Sequence, residues 1–315
     1  FEYEDGRYDM CNMRYKSHKI IQGKPDIEGL PHIYENSSGE FTTLIITVGD
    51  DISGVSVELY YSISETMPII CRHSRVLSGK TAVYLTNAAS ASIDFSDSDF
   101  KYMNLHGAWI REKHIEMAEV KKGFQGIESR RGASSPNENP FMAIMRKDAV
   151  EDFGEVYGFS LVYSGNFKML LEAETYGTMR FQAGVNPHNF KWKLNKGEQF
   201  ITPELVMVYS KNGLGEMSRT FHRLYRRNLC RGIWRDKVRP ILINNWEATY
   251  FDFNEDKLIN ICKKASELGI ELFVLDDGWF GKRNNDKSSL GDWFVNTDKL
   301  PGSLKGLSEK VDTLG

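Results

Sequence analysis

The sequence predicts an antiparallel β-sandwich followed by the start of a parallel α/β domain. Three observations carry this. Short segments with period-two alternation recur to about residue 210, separated by turn residues. From Gly215 the apolar spacing switches to the helical period. After Pro240 the order becomes strand, helix, strand, loop, helix, the signature of successive βα units.

The β segments come first. Thr43-Leu44-Ile45-Ile46-Thr47-Val48 is a strand, turned by Gly49-Asp50-Asp51. Val55-Ser56-Val57-Glu58-Leu59-Tyr60-Tyr61 alternates with period two. Further strands are predicted at 81–85, 156–163, 168–174, 179–185 and 205–209. Ser164-Gly165-Asn166 is a turn signal between two of them. Two stretches interrupt the pattern. Leu105-His106-Gly107-Ala108-Trp109-Ile110-Arg111-Glu112 sets a tryptophan among polar neighbours, and the residues alone favour a sandwich-core role for Trp109. Residues 123–140 read as one long loop, a kind that tends to be functional or mobile. Its Arg130-Arg131 pair suits an anion or, more commonly, a solvated salt bridge.

Met217, Phe221, Leu224, Tyr225 and Leu229 then recur at helical spacing over about 215–228, with arginines between them. Residues 230–238 read as a linker. In the second part, Pro240-Ile241-Leu242-Ile243 runs into Asn244-Asn245-Trp246-Glu247. Asn254 is a candidate N-cap for a helix over 257–268, stopped by Gly269. A second strand over 271–275 follows, then a polar loop over 281–300 and a helix over about 304–314. The domains are predicted as 1–235 and 236–315.

The totals exclude several classes. The chain has 315 residues, 41% hydrophobic and 26% charged, an ordinary globular composition. A net charge of −3 gives no reason to expect nucleic acid. No apolar run approaches the ~18 residues of a membrane span. Cys11, Cys71, Cys230 and Cys262 have no metal-ligand spacing and predict buried packing in a reducing compartment. No glycine-rich phosphate loop follows either C-terminal strand.

The chemistry concentrates at Phe273-Val274-Leu275-Asp276-Asp277-Gly278-Trp279-Phe280. An apolar run ends in two carboxylates at the place where α/β sheets keep their ligand sites. Gly278 permits a sharp turn there, so both carboxylates can converge on one ligand. Paired acids beside an indole suit a sugar, accepting from hydroxyls while the ring covers a C–H face. A metal site and a helix N-cap are the other two readings of the residues.

Several motifs together resemble the α-galactosidases of glycoside hydrolase family 36. They are Asn244-Asn245-Trp246-Glu247-Ala248-Thr249-Tyr250-Phe251-Asp252-Phe253, Leu275-Asp276-Asp277-Gly278-Trp279-Phe280-Gly281-Lys282-Arg283 and Leu290-Gly291-Asp292-Trp293. Earlier stretches join them: Ser129-Arg130-Arg131-Gly132-Ala133-Ser134-Ser135, residues 157–167 and residues 218–225. The resemblance implies a β-supersandwich followed by the first two βα units of a (β/α)8 TIM barrel. It implies retaining hydrolysis of α-galactosides such as melibiose and raffinose, with no metal or other cofactor. It makes Asp276 and Asp277 ligands of the galactose 4- and 6-hydroxyls, Trp246 a pocket wall, and Trp109 a sandwich residue brought to the sugar. The family's nucleophile lies in a Lys-Trp-Asp motif absent here, so the catalytic pair is expected beyond Gly315. The resemblance also implies a homo-oligomer, a dimer or tetramer, with galactoside oligosaccharides as partners; charge, hydropathy and cysteine usage point to a cytoplasmic protein with neither nucleic acid nor membrane as partner.

Alternatives within the family are an α-N-acetylgalactosaminidase and a raffinose-synthase-like transferase. Outside it stands a non-catalytic sugar-binding module. The chain opens at Phe1 without an initiator Met and closes in what reads as a helix end at Gly315. Two strands cannot close a barrel, so a fragment of a longer protein is expected.

Overall fold

The computed structural model describes residues 1–4, 6 and 12–314; Cys11 and Gly315 lie outside the described residues. It divides into two compact units, Phe1–Arg231 and Gly232–Gly315.

The first unit is built on a wide sheet. Nine strands lie side by side in the order Arg14–Gln22, Phe41–Gly49, Ser56–Ser64, Ile69–Leu77, Glu204–Ser210, Val156–Val162, Glu138–Arg146, Phe100–Ala108, Arg111–Glu119, and Gln199–Ile201 adds to Ile69–Leu77. All these pairings are antiparallel. Four strands, Gly123–Glu128, Phe167–Ala173, Met179–Val185 and Ala89–Phe95, form a second antiparallel sheet. A small third sheet joins Glu2–Tyr3, Val83–Leu85 and Trp192–Leu194.

Period-two alternation builds the core between the two larger sheets. Phe167, Met169, Leu171 and Ala173 point inward from one strand. They join Met142, Ile144, Phe159, Leu161 and Leu205 of the wide sheet in one buried cluster. Phe159 stacks on Phe181 at 4.0 Å between ring centroids, a contact worth about 0.5–1.5 kcal/mol beyond its buried area.

The opposite face of the wide sheet takes the helix Gly213–Leu224 through Met217, Phe221 and Leu224. Gly158 makes this approach possible. A Cβ there would stand 2.6 Å from Phe221 Cε2 and 2.8 Å from Met217 Sδ. The helix ends earlier than the predicted 228, because residues Tyr225–Leu229 rewind as a π-helix. Tyr225 is thereby turned to donate to Ser160 Oγ at 2.7 Å.

Two sequence expectations fail here. Residues 123–140 are not one loop: Gly123–Glu128 and Glu138–Arg146 are strands, and the irregular part is 129–137. That part is anchored, with Gly132 N–H donating to Asn166 Oδ1 at 2.7 Å and Arg130 paired to Glu128 at 2.6 Å. Trp109 is not in the sandwich core. It is 81% exposed, at the two-residue turn joining Phe100–Ala108 to Arg111–Glu119. The whole Arg111–Glu119 strand is exposed, so it offers no alternation from which to read a hairpin.

One buried polar group crosses this unit. Lys24 Nζ lies 2.6 Å from Glu204 Oε1, with both side chains at most 1% exposed. Glu204 Oε2 accepts from Ile33 N–H at 2.6 Å. Nearby, His73 is buried and stacks on Tyr60 at 4.4 Å.

The second unit holds two parallel strands, Leu242–Asn244 and Leu272–Val274, in register Asn244 to Val274. Helix Glu255–Glu267 lies between them in sequence, and Asn254 caps it by accepting from Lys257 N–H at 3.0 Å. Helix Ser303–Asp312 closes the chain. Phe253, Leu258, Leu300 and Leu307 form the core, with Phe273, Leu275 and Trp279 against it. Among the described residues, no helix is long and apolar enough to cross a membrane. Cys71 and Cys262 are buried as expected, whereas Cys230 is exposed, and the three are unpaired.

Candidate functional site

The site is built where the two parallel strands end. Their shared register delivers Asn244-Asn245 and Asp276-Asp277 to the same edge. Asn245 is fully buried and acts as a splice: its N–H reaches Val274 O at 3.4 Å, and its Oδ1 accepts from Asp276 N–H at 2.8 Å. Asn244 Nδ2 donates to Asp276 Oδ2 at 2.7 Å. The same side chain's Oδ1 accepts from Trp246 N–H at 2.7 Å. Asn244 therefore ties Trp246 to Asp276.

The backbone then turns through Gly278, at φ +91°. No helix follows, so the N-cap reading of the aspartates is overturned; the next helix begins at Ser303. Asp276 Oδ1 accepts from Asp277 N–H at 2.6 Å, and Asp277 Oδ1 accepts from Gly278 N–H at 2.7 Å. Arg283 Nε donates to Asp277 Oδ1 at 2.6 Å. This guanidinium holds the Asp277 carboxyl below the usual carboxylate range; burial opposes it, while Gly278 N–H and Lys299 assist. Lys299 Nζ braces the turn through Phe251 O at 2.9 Å and Gly278 O at 3.0 Å. Burial lowers the pKa of Lys299.

Asp276 and Asp277 line an open concavity of about 400 Å³ together with Trp279, Phe280, Arg283, Leu290 and Trp293. Trp293 is 69% exposed and lies 4.6 Å from Phe280 and 6.5 Å from Trp279 between ring centroids. The concavity thus offers carboxylate oxygens beside exposed aromatic area. A site of this kind suits a neutral polyhydroxylated ligand. Among the described residues, no three His, Cys, Asp or Glu side chains are placed to hold a metal.

The structure brings Asp276 and Asp277 together and sets Trp246 one hydrogen-bond relay away. The Trp246 ring packs edge-on to Tyr250 at 5.2 Å and Phe251 at 5.0 Å. Trp109 belongs to the first unit, at its exposed hairpin turn. Sequence reasoning gave no role to Asn244, Asn245, Arg283 or Trp293. The signal for the asparagines was present, because polar residues end an apolar run directly before Trp246. Arg283 gave none: one basic residue in a polar loop does not reveal its burial.

Strand-end carboxylates, braced by carboxamides and set beside aromatics, lie on an α/β unit that follows a β-sandwich. Family models agree with both parts. The glycosyl hydrolase family 36 N-terminal domain matches residues 1–195, and the melibiase model matches residues 199–315. The chain belongs to glycoside hydrolase family 36. It is 52% identical over 307 residues to α-galactosidase AgaA of Geobacillus stearothermophilus, covering 97% of this chain and 42% of that protein. It is 47% identical to α-galactosidase Mel36A of Lactobacillus acidophilus, covering 96% of this chain and 42% of the relative. The crystal structure of AgaA superposes with a TM-score of 0.96 at 51% identity, over 100% of this chain and 44% of AgaA. Variants of AgaA have been solved in complex with stachyose and with raffinose. The chain therefore spans about two fifths of the length of the relatives it matches.

Proposed function

We propose that the full-length protein is an α-galactosidase that hydrolyses terminal α-galactosyl residues of melibiose, raffinose and related oligosaccharides with retention. In this reading residues 1–235 are the supersandwich, and residues 236–315 are the first two βα units of a (β/α)8 barrel. The observation that carries the reading is the Asp276-Asp277 pair, presented at a strand end and beside exposed aromatic rings. The relatives' complexes with stachyose and raffinose support the same ligand class.

Asp276 and Asp277 accept the galactose 4- and 6-hydroxyls. Galactose and glucose differ only in the orientation of the 4-hydroxyl. A site built to accept from an axial hydroxyl rejects the equatorial epimer, because a buried acceptor is then left unpaired, and such discrimination reaches about 10⁴ or more. Trp246 walls the pocket, and Trp109 is a further sugar ligand. The nucleophile and the general acid come from chain beyond residue 315. Such a pair stands about 5–5.5 Å apart in a retaining enzyme. The enzyme works as a homo-oligomer in the cytoplasm, a location that the unpaired Cys71, Cys230 and Cys262 support.

The deciding experiment assays the full-length enzyme on aryl α-galactoside and α-glucoside, following the anomer released by proton NMR. Strong preference for galactoside with retained configuration is expected. Comparable turnover of both epimers would end the galactose reading.

A further inference from the structure

Asp277 does not stand free in the concavity. Its Oδ1 already receives Gly278 N–H at 2.7 Å and Arg283 Nε at 2.6 Å. Arg283 is itself buried, its side chain 7% exposed. Its Nη1 donates to Ser288 O at 2.8 Å and to Asn285 O at 3.1 Å. The guanidinium lies over Phe251 at 5.6 Å and Phe280 at 5.8 Å. A planar fork anchored on two carbonyls and packed near two rings is held against the carboxylate. Asp277 Oδ2, in contrast, has no protein donor among the described residues.

We infer that Arg283 is a positioning residue for the sugar site, fixing the rotamer of Asp277 so that Oδ2 stands as a pre-set, charged acceptor for one hydroxyl. The inference rests on the reading of Asp277 as a galactose ligand. An unbraced aspartate would have to be ordered by the substrate, and that ordering would be subtracted from binding. Arg283 meets the cost in the folded state, before substrate arrives. Lysine cannot take its place, because a single ammonium cannot serve the carboxylate and two carbonyls in one plane.

The charged groups around Asp277 are Arg283 and Lys299, with Asp276 adjacent, Asp286 acting on Arg283 and Asp252 acting on Lys299. Arg283 and Lys299 both favour the ionised carboxylate. Without Arg283, Asp277 protonates at a higher pH.

The test uses Arg283→Lys and Arg283→Gln in the full-length enzyme, with circular dichroism as the folding control. Hydrogen bonds to charged groups have a strength that predicts about a ten- to hundredfold loss of kcat/KM. The wild-type to variant ratio should widen as pH falls from about 7 to about 4, across the range where an ordinary aspartate takes up a proton. A loosened loop alone would give a ratio independent of pH, and that result overturns the inference. Combining Arg283→Lys with Asp277→Asn should be no worse than Asp277→Asn alone; an additive loss overturns it as well. The two readings fail separately. Wild-type kcat/KM in Asp277→Asn removes the ligand assignment, whereas a damaged Asp277→Asn beside undamaged Arg283 variants removes the positioning role only. If neither Arg283 variant folds, carboxyl carbon-13 NMR of the otherwise unmodified enzyme decides. The resonance missing from Asp277→Asn must titrate below the ordinary aspartate range, and an ordinary titration overturns the inference.

Discussion

Asn244 and Asp276 sit at the ends of neighbouring parallel strands, and the carboxamide of one holds the carboxylate of the other at 2.7 Å. The same carboxamide accepts from the Trp246 backbone at 2.7 Å. One side chain therefore sets the position of two site residues. Asn244→Ala should lower kcat/KM of the full-length enzyme about ten- to hundredfold through KM, consistent with one hydrogen bond to a charged group. Asn244→Asp should do more harm, because it replaces the amide donor to Asp276 with a second carboxyl group. Steady-state kinetics from acid to neutral pH measures both.

Asp276→Asn and Asp277→Asn are near-isosteric, so circular dichroism should be unchanged. Each replaces a charged acceptor with a weaker one that also carries a donor. We expect kcat/KM to fall about ten- to a hundredfold or more. Azide should not rescue either variant, as it would a nucleophile variant by attacking the anomeric carbon. Formation of a galactosyl azide would reassign that aspartate as the nucleophile.

Trp109→Ala separates binding from folding. Trp109 is 81% exposed, so thermal stability should stay within about 0.5 kcal/mol of wild type. Several-fold weaker kcat/KM in the full-length enzyme is the expected outcome if the hairpin turn reaches the sugar. Unchanged kinetics would confine the indole to some other task.

Gly158→Ala tests the seat of the helix Gly213–Leu224. The new methyl would meet Phe221 Cε2 at 2.6 Å and Met217 Sδ at 2.8 Å. Overpacking of a filled core costs about 1–3 kcal/mol. Equilibrium denaturation should show that loss, and trimming Met217 to Ala in the same chain should recover part of it.

His73 makes stability depend on pH. Burial, with Lys24, Arg72 and His32 adding repulsion, lowers its pKa to about 3. In the unfolded chain it titrates near 6.5. The unfolded state therefore takes up a proton that the folded state refuses, and stability falls as pH drops from about 6.5 toward 3. His73→Phe keeps a ring against Tyr60 but takes up no proton. Its stability should fall less steeply with acid, by up to about 1.4 kcal/mol per pH unit. Parallel slopes for the two proteins would refute this account.

The sequence made legible those elements whose two faces differ. Phe167–Ala173 alternates strictly in burial, with Lys168 and Glu172 on its outer face, and its boundaries were read to within a residue. Ile69–Leu77 was missed because Arg72, His73 and Ser74 are buried on it, which erases the polar face. Arg111–Glu119 was missed for the opposite reason, having no buried face. At the site, Asp276 and Asp277 announced themselves by ending an apolar run. Arg283 did not, because its burial depends on loop carbonyls at Asn285 and Ser288 that come into position only with the tertiary fold.

The width of the largest sheet has a consequence for the molecule's colloidal behaviour. Its outermost strands, Arg14–Gln22 and Arg111–Glu119, are exposed almost throughout. Among the described residues, each pairs with a strand on one side only, and an edge of that kind invites another strand. The first bears Arg14, Lys16 and Lys19, and the second bears Arg111, Glu112, Lys113, Glu116 and Glu119. A second molecule adding edge to edge would have to strip water from these charges to complete the ladder. The charges on the outer strands therefore act as gatekeepers. Neutralising them should leave the sheet folded but bring the protein out of solution, as ordered fibrils or amorphous precipitate, well before it loses its tertiary structure.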